Sequence, residues 1–162
     1  MSKSIDTKIE YPVDRRGALK LFGFGAAAAT AGVLMPSDAD ATPESAKKLI
    51  EKLSGTASYK SGKVTLKMPD IAENGATVPL TVHVDSPMTE KDYVKFIHLA
   101  SEKNPNAEVA SFHLTPSSGR AEVSTRMRLS KTQNVIAVAV MNDGSVFRAA
   151  RQVKVTIGGC GG

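Results

Sequence analysis

The chain reads as all-β: an immunoglobulin-like antiparallel β-sandwich with a short N-terminal helix and a flexible Gly-rich C-terminal arm. Three observations predict this. After Gly62 the hydrophobic period changes to two, turn residues punctuate the chain at short intervals, and no helical pattern alternates with the strands. About seven short strands result.

The elements follow in order. Residues 1–41 read as a twin-arginine-type signal peptide. Asp14-Arg15-Arg16-Gly17-Ala18-Leu19-Lys20 precedes an apolar run from Leu21 to Leu34, and Ala39-Asp40-Ala41 offers small residues for cleavage. The run falls short of the ~20 apolar residues a membrane-spanning helix needs. A periplasmic protein without a membrane anchor is therefore expected, with Arg15 and Arg16 as the export signal. Ala18 and Asp14 depart from the usual aromatic and Ser/Thr of the motif.

Residues 42–157 form the predicted β-sandwich domain. Thr42-Pro43-Glu44 opens a helix: Thr can cap, Pro suits the first helical position, and Glu complements the positive end of the dipole. Ala46, Leu49, Ile50 and Leu53 fall at helical spacing, and Gly55 can end the segment. Strands are expected over Lys63–Met68, Thr77–Val84, Tyr93–Ala100, Glu108–Leu114, Arg120–Leu129, Thr132–Met141 and Ser145–Ile157. Pro79 cannot donate to a ladder, which predicts a free edge in its strand. Residues 135–140 are apolar without a break, as in a central strand that needs cover on both faces. Asn142-Asp143-Gly144 is a hairpin turn. In the last strand Val153, Val155 and Ile157 are expected to face inward, with a bulge near Ala149-Ala150.

Beyond Ile157 the chain reads Gly158-Gly159-Cys160-Gly161-Gly162. Glycine offers no packing surface and maximal backbone freedom, so residues 158–162 are predicted to be a thin, flexible arm. Cys160 is the single cysteine, which excludes an internal disulfide and a thiolate zinc site. A free thiol is only a few per cent thiolate at neutral pH, and no His, Lys or Arg adjoins this one. That suits a covalent carrier activated by its enzymes better than a self-sufficient catalytic cysteine. The alternative is a structural or interaction β-module with an incidental terminal thiol.

Composition excludes other classes. The formal charge is +5, and because residues 1–41 carry five Lys/Arg and five Asp/Glu, the rest keeps 16 against 11, again +5. These charges are scattered rather than massed, and aromatics are 5% of the chain without tryptophan, which argues against a nucleic-acid platform. His83, His98 and His113 lie on three different predicted strands, so no metal site is expected. Arg126 and Arg128 share an outer face with Ser124 and could attract sulfur oxyanions, although exposed arginines on a sheet are common. Gly161-Gly162 also ends ubiquitin-fold sulfur carriers, but those act in the cytoplasm, and their central helix has no counterpart here.

Much of the mature chain resembles one family. The matching stretches are Ile71-Ala72-Glu73-Asn74-Gly75-Ala76-Thr77-Val78-Pro79-Leu80, Val84-Asp85-Ser86-Pro87-Met88, Ala100 to Pro105, Phe112 to Pro116, Val123-Ser124-Thr125-Arg126 and Val153 to Gly162. They resemble SoxY, the sulfur-carrier family of the periplasmic thiosulfate-oxidising (Sox) system. The resemblance implies a non-catalytic subunit that carries sulfur on Cys160 and holds no cofactor besides that covalent cargo. It implies a heterodimer with a SoxZ-like β-sandwich subunit. The enzymes implied are a thiosulfate-coupling c-type cytochrome, a sulfate-releasing hydrolase and, in some organisms, a sulfane dehydrogenase.

Overall fold

The computed structural model describes residues 41–157. Arg15 and Arg16 of the leader, and Gly158, Gly159, Cys160, Gly161 and Gly162 of the arm, lie outside the described residues.

Helix α1 spans Pro43–Ser54. The Thr42 hydroxyl accepts from the Ser45 amide at 3.1 Å, and Ser45 Oγ accepts from the Thr42 amide at 2.8 Å, which satisfies two orphan donors of the first turn. Gly55 ends the helix at φ 73°, a left-handed conformation that side chains resist, and its amide donates to Glu51 O. Ala46 and Ile50 are its buried residues.

Eight strands follow: β1 Val64–Lys67, β2 Ile71–Asn74, β3 Val78–Val84, β4 Val94–Ser101, β5 Glu108–His113, β6 Glu122–Met127, β7 Gln133–Met141 and β8 Val146–Ile157. They form a three-stranded sheet in the order β1-β3-β6 and a five-stranded sheet in the order β2-β8-β7-β4-β5. The sandwich core lies between them, built from alternating residues such as Val78, Leu80, Val82 and Val84 of β3 against Ile97, Leu99, Val135, Ala137 and Val153. A second cluster lies on the outer side of the five-stranded sheet, where Ala46 and Ile50 of α1 cover Ala100, Ile136, Val138 and Val146. The unbroken apolar run in β7 is thus covered on one face by the other sheet and on the other by α1. No partner is needed to cover it.

The structure revises four expectations. β2 is an eighth strand and pairs parallel with β8, so the sandwich is antiparallel except along one edge. β3 is the central strand of its sheet, not an edge. Its edge is open only locally at Pro79, because β1 stops at Lys67 opposite Thr81 and leaves no donor demand beyond. β8 pairs with β7 in one unbroken register from Val146 to Val153, without a bulge at Ala149-Ala150: alanine is small enough for either face. The register shifts fall in β4 instead, between Val94 and Phe96 and between Leu99 and Ala100. Ile157 is 63% exposed, because β8 runs on past the cover of the other sheet.

The β7–β8 hairpin turns at Asn142-Asp143-Gly144 as expected, with Gly144 at φ 82°. Asp143 accepts from the Ser145 amide at 2.8 Å, and hydrogen bonding to Ser145 holds its carboxyl below the ordinary range. Among the described residues, no helix is long and apolar enough to cross a membrane.

Candidate functional site

The tail that bears Cys160 begins where β8 ends, so the described part of the site is the root of the arm. Three neighbours hold it. On one side β2 pairs with β8 through Ile71 opposite Lys154, Ala72 opposite Val155 and Asn74 opposite Ile157. The Gly75 amide donates to Ile157 O at 2.8 Å, and Thr156 Oγ1 donates to Glu73 O at 2.9 Å. On the other side β7 pairing stops at Gln133 opposite Val153. There Thr132 takes over with its side chain, its Oγ1 accepting from the Val155 amide at 2.9 Å. The third contact is indirect: Gly75 O accepts from the Leu129 amide at 2.8 Å, which ties the root to the end of β6. β8 is thus held by hydrogen bonds up to Ile157, the residue before Gly158 in the sequence.

Beside it lies a polar hub. Gln133, 1% exposed, accepts at Oε1 from the Lys103 amide and donates from Nε2 to Asn104 Oδ1, both at 2.8 Å. Asn104 Oδ1 also accepts from the Ser130 amide at 3.0 Å, while Asn104 Nδ2 donates to Arg128 O at 2.8 Å. Ser130 Oγ donates to Lys103 O at 2.7 Å. The β4–β5 and β6–β7 connections are thereby tied together by hydrogen bonds, with both polar ends of the buried Gln133 side chain partnered. Sequence reasoning missed this hub and the Thr132 clamp. Asn104-Pro105 reads as a turn, and nothing local distinguishes Gln133 from any other strand residue.

The histidines do not converge. His83 of β3 faces Glu122 Oε2 at 3.4 Å across the β3–β6 pair. His98 of β4 is 5% exposed, its Nδ1 lies 2.8 Å from Ser111 Oγ, and Phe96 stacks near it. Burial pushes its pKa down, with Glu108 opposing. The His113 ring also lies beside Phe96, 4.9 Å between centroids. Among the described residues no group of three or more His, Cys, Asp or Glu could hold a metal ion. Arg126 and Arg128 are both exposed, and they line a cleft of about 380 Å³ with the Asn104-Pro105-Asn106 loop.

Comparison with known proteins agrees with the fold. No curated protein matches the chain. The structure of the sulfur carrier protein SoxY from Chlorobium limicola f thiosulfatophilum superposes with a TM-score of 0.57 at 35% identity, covering 67% of this chain and 90% of that one. Superoxide reductase (neelaredoxin) from Ignicoccus hospitalis superposes with a TM-score of 0.52, covering 73% of this chain and 96% of that one, at only 16% identity, a likeness of fold alone. The family model "Sulfur oxidation protein SoxY" matches residues 50–160, a span that holds the sandwich, the arm root and Cys160. With that match over most of its length and 35% identity to a solved member, the chain belongs to the SoxY family.

Proposed function

We infer that the protein carries sulfur through thiosulfate oxidation as a covalent adduct on Cys160, passed between the enzymes of the Sox system. The observation that carries this reading is the family match, which extends over the only thiol of the chain, three residues beyond a strand end held by β2 and by the Thr132 side chain. A fixed root with a thin glycine tail lets a thiol enter another protein's active site while the sandwich stays outside. The reaction balances as follows. The Cys160 thiol and thiosulfate join through a new S–S bond, releasing one proton and two electrons to a c-type cytochrome. Water then cleaves the terminal sulfonate as sulfate plus a proton and leaves a persulfide on Cys160. In organisms with a sulfane dehydrogenase, that enzyme takes six electrons from the outer persulfide sulfur as three waters add and seven protons leave, giving the S-sulfonate, and a further water releases sulfate and a proton and restores the thiol.

On this reading the domain is a non-catalytic subunit with no cofactor beyond its cargo. It is exported to the periplasm by way of Arg15 and Arg16, and it pairs with a SoxZ-like sandwich. The glycines at 158, 159, 161 and 162 serve as the arm. The intact mass of protein recovered from thiosulfate-fed cells tests the assignment. A sulfur adduct is expected on the native chain and none on Cys160→Ser. An adduct that survives this substitution, or one mapping to the C-terminal carboxylate, would refute it.

A further inference from the structure

Resting on the carrier reading, the geometry points to a parking site for the anionic cargo: the cleft bearing Arg126 and Arg128 receives the sulfonate end of the Cys160 adduct when the arm folds back. The two arginines sit two residues apart at the end of β6 and both line the cleft, with Asn104, Pro105 and Asn106 as the facing wall. At that spacing along extended chain their Cα atoms lie roughly 7 Å apart on one face, so both can address one anion. Among the described residues neither guanidinium has a carboxylate or side-chain hydrogen-bond partner, whereas Arg151 of the same domain is bound to Asp70 at 2.7 Å. An arginine fork without a partner is suited to the oxygens of a sulfonate. Glu108 also lines the cleft, but its Oε1 accepts from Ser111 Oγ at 3.2 Å, and two cations stand against this one carboxylate.

Position makes the site reachable. Arg128 precedes Leu129, whose amide bonds Gly75 O, and the Gly75 amide bonds Ile157 O. Two such strand-to-strand steps span roughly 10 Å. Extended chain from Ile157 carries the Cys160 Cα on the order of 10 Å, and the cargo and the arginine side chain each add reach. The cleft is also held in shape, because Asn104 Nδ2 fixes the Arg128 carbonyl and buried Gln133 fixes Asn104. Its chemistry discriminates by charge. An S-thiosulfonate or S-sulfonate is anionic and is retained, while the neutral thiol is not. The cleft thus favours the oxidised, anionic cargo over the empty thiol.

The test uses the full mature chain. Tetrathionate converts the Cys160 thiolate to the S-thiosulfonate and expels thiosulfate, and mass spectrometry confirms one adduct on Cys160. A neutral dithiol then attacks the Cys160 Sγ–S bond, which releases thiosulfate, regenerates the thiol and leaves the cyclic disulfide. With Arg126→Gln/Arg128→Gln the adduct is expected to be lost at least about 5-fold faster than with wild type. The difference should shrink at high salt, where exposed ion pairs are screened, and Arg126→Lys/Arg128→Lys should fall between. Equal, salt-independent rates in wild type and the Gln variant, with the adduct mapped to Cys160 in both, would overturn the parking site and leave the carrier reading intact. Failure of Cys160→Ala to stop thiosulfate oxidation would instead overturn the carrier reading.

Discussion

Replacing Gln133 by Leu tests whether the polar hub, rather than apolar packing, holds the arm end of the sandwich together. The side chain is 1% exposed, and it accepts from the Lys103 amide and donates to Asn104 Oδ1 and Lys131 O. Leucine fills much of the volume but leaves the Lys103 amide without its acceptor, and an orphaned buried donor costs about 1–3 kcal/mol. Asn104 Oδ1 keeps the Ser130 amide, so its loss is partial. The expected destabilisation is about 2–3 kcal/mol, a fall in Tm of roughly 8–15 °C for a domain of this size. Urea unfolding followed by circular dichroism measures it. Asn104→Ala should cost a similar amount, and the double variant should cost at least about 1 kcal/mol less than the sum, since both changes break the same bond. A loss below about 0.5 kcal/mol for Gln133→Leu, or strict additivity, would refute this account of the hub.

Four further outcomes are expected. Cys160→Ala should abolish thiosulfate-dependent electron transfer in a reconstituted system with an unchanged far-ultraviolet spectrum, and retained turnover would sink the carrier reading. Gly159→Val with Gly161→Val should impair delivery to the partner enzymes, because branched side chains stiffen and thicken the arm, while a small alkylating reagent reacts with Cys160 at an unchanged rate. Because burial lowers the His98 pKa, the unfolded chain takes up the proton first. The stability His98 confers is therefore complete above its unfolded pKa of ~6.5 and is lost as pH falls through that value toward the depressed folded one; urea midpoints at pH 7.5 and 5 should diverge less in His98→Gln. In Gly144→Val the added Cβ meets no neighbour within 4 Å but the residue must adopt φ 82°, so a loss of about 1–2 kcal/mol by urea titration is expected, with sulfur transfer unaffected at the far end of β8.

Seven strands are legible in the sequence, most of them because they alternate against a covered face and β7 because it is an unbroken apolar run bounded by turn residues. β2 is not, because in Ile71–Asn74 only Ala72 is buried, which gives no period to read. Its partner lies some eighty residues on, and a parallel pairing needs a crossover that no turn motif announces. Ile157 shows a different limit. Alternation continues through it, but a pattern on one strand cannot tell where the opposite sheet ends. Pro79 pointed correctly to a missing ladder donor and incorrectly to an edge strand, since a donor can be dispensable wherever the neighbouring strand is short. At the site, Cys160 is conspicuous as a sole thiol among glycines. The hub is illegible because Asn104 meets Ser130 and Gln133 across 26 and 29 residues, a convergence only the fold creates.

The parallel pairing of β2 with β8 governs how the molecule bears force. On the carrier reading, an enzyme that grips the Cys160 tail while the carrier is drawn away would put tension on β8 at Ile157 along the strand axis. From Lys154 onward no β7 residue pairs with β8, so the load passes to β2 and to the Thr132 side chain. A strand pulled along its length beside a parallel neighbour strains its hydrogen bonds together, from Lys154 N to Asp70 O through to Gly75 N and Ile157 O, instead of opening them one at a time. The connection is in shear, and the four residues of β2, with the Thr132 side chain, keep a tug on the tail from unravelling the strand that carries it.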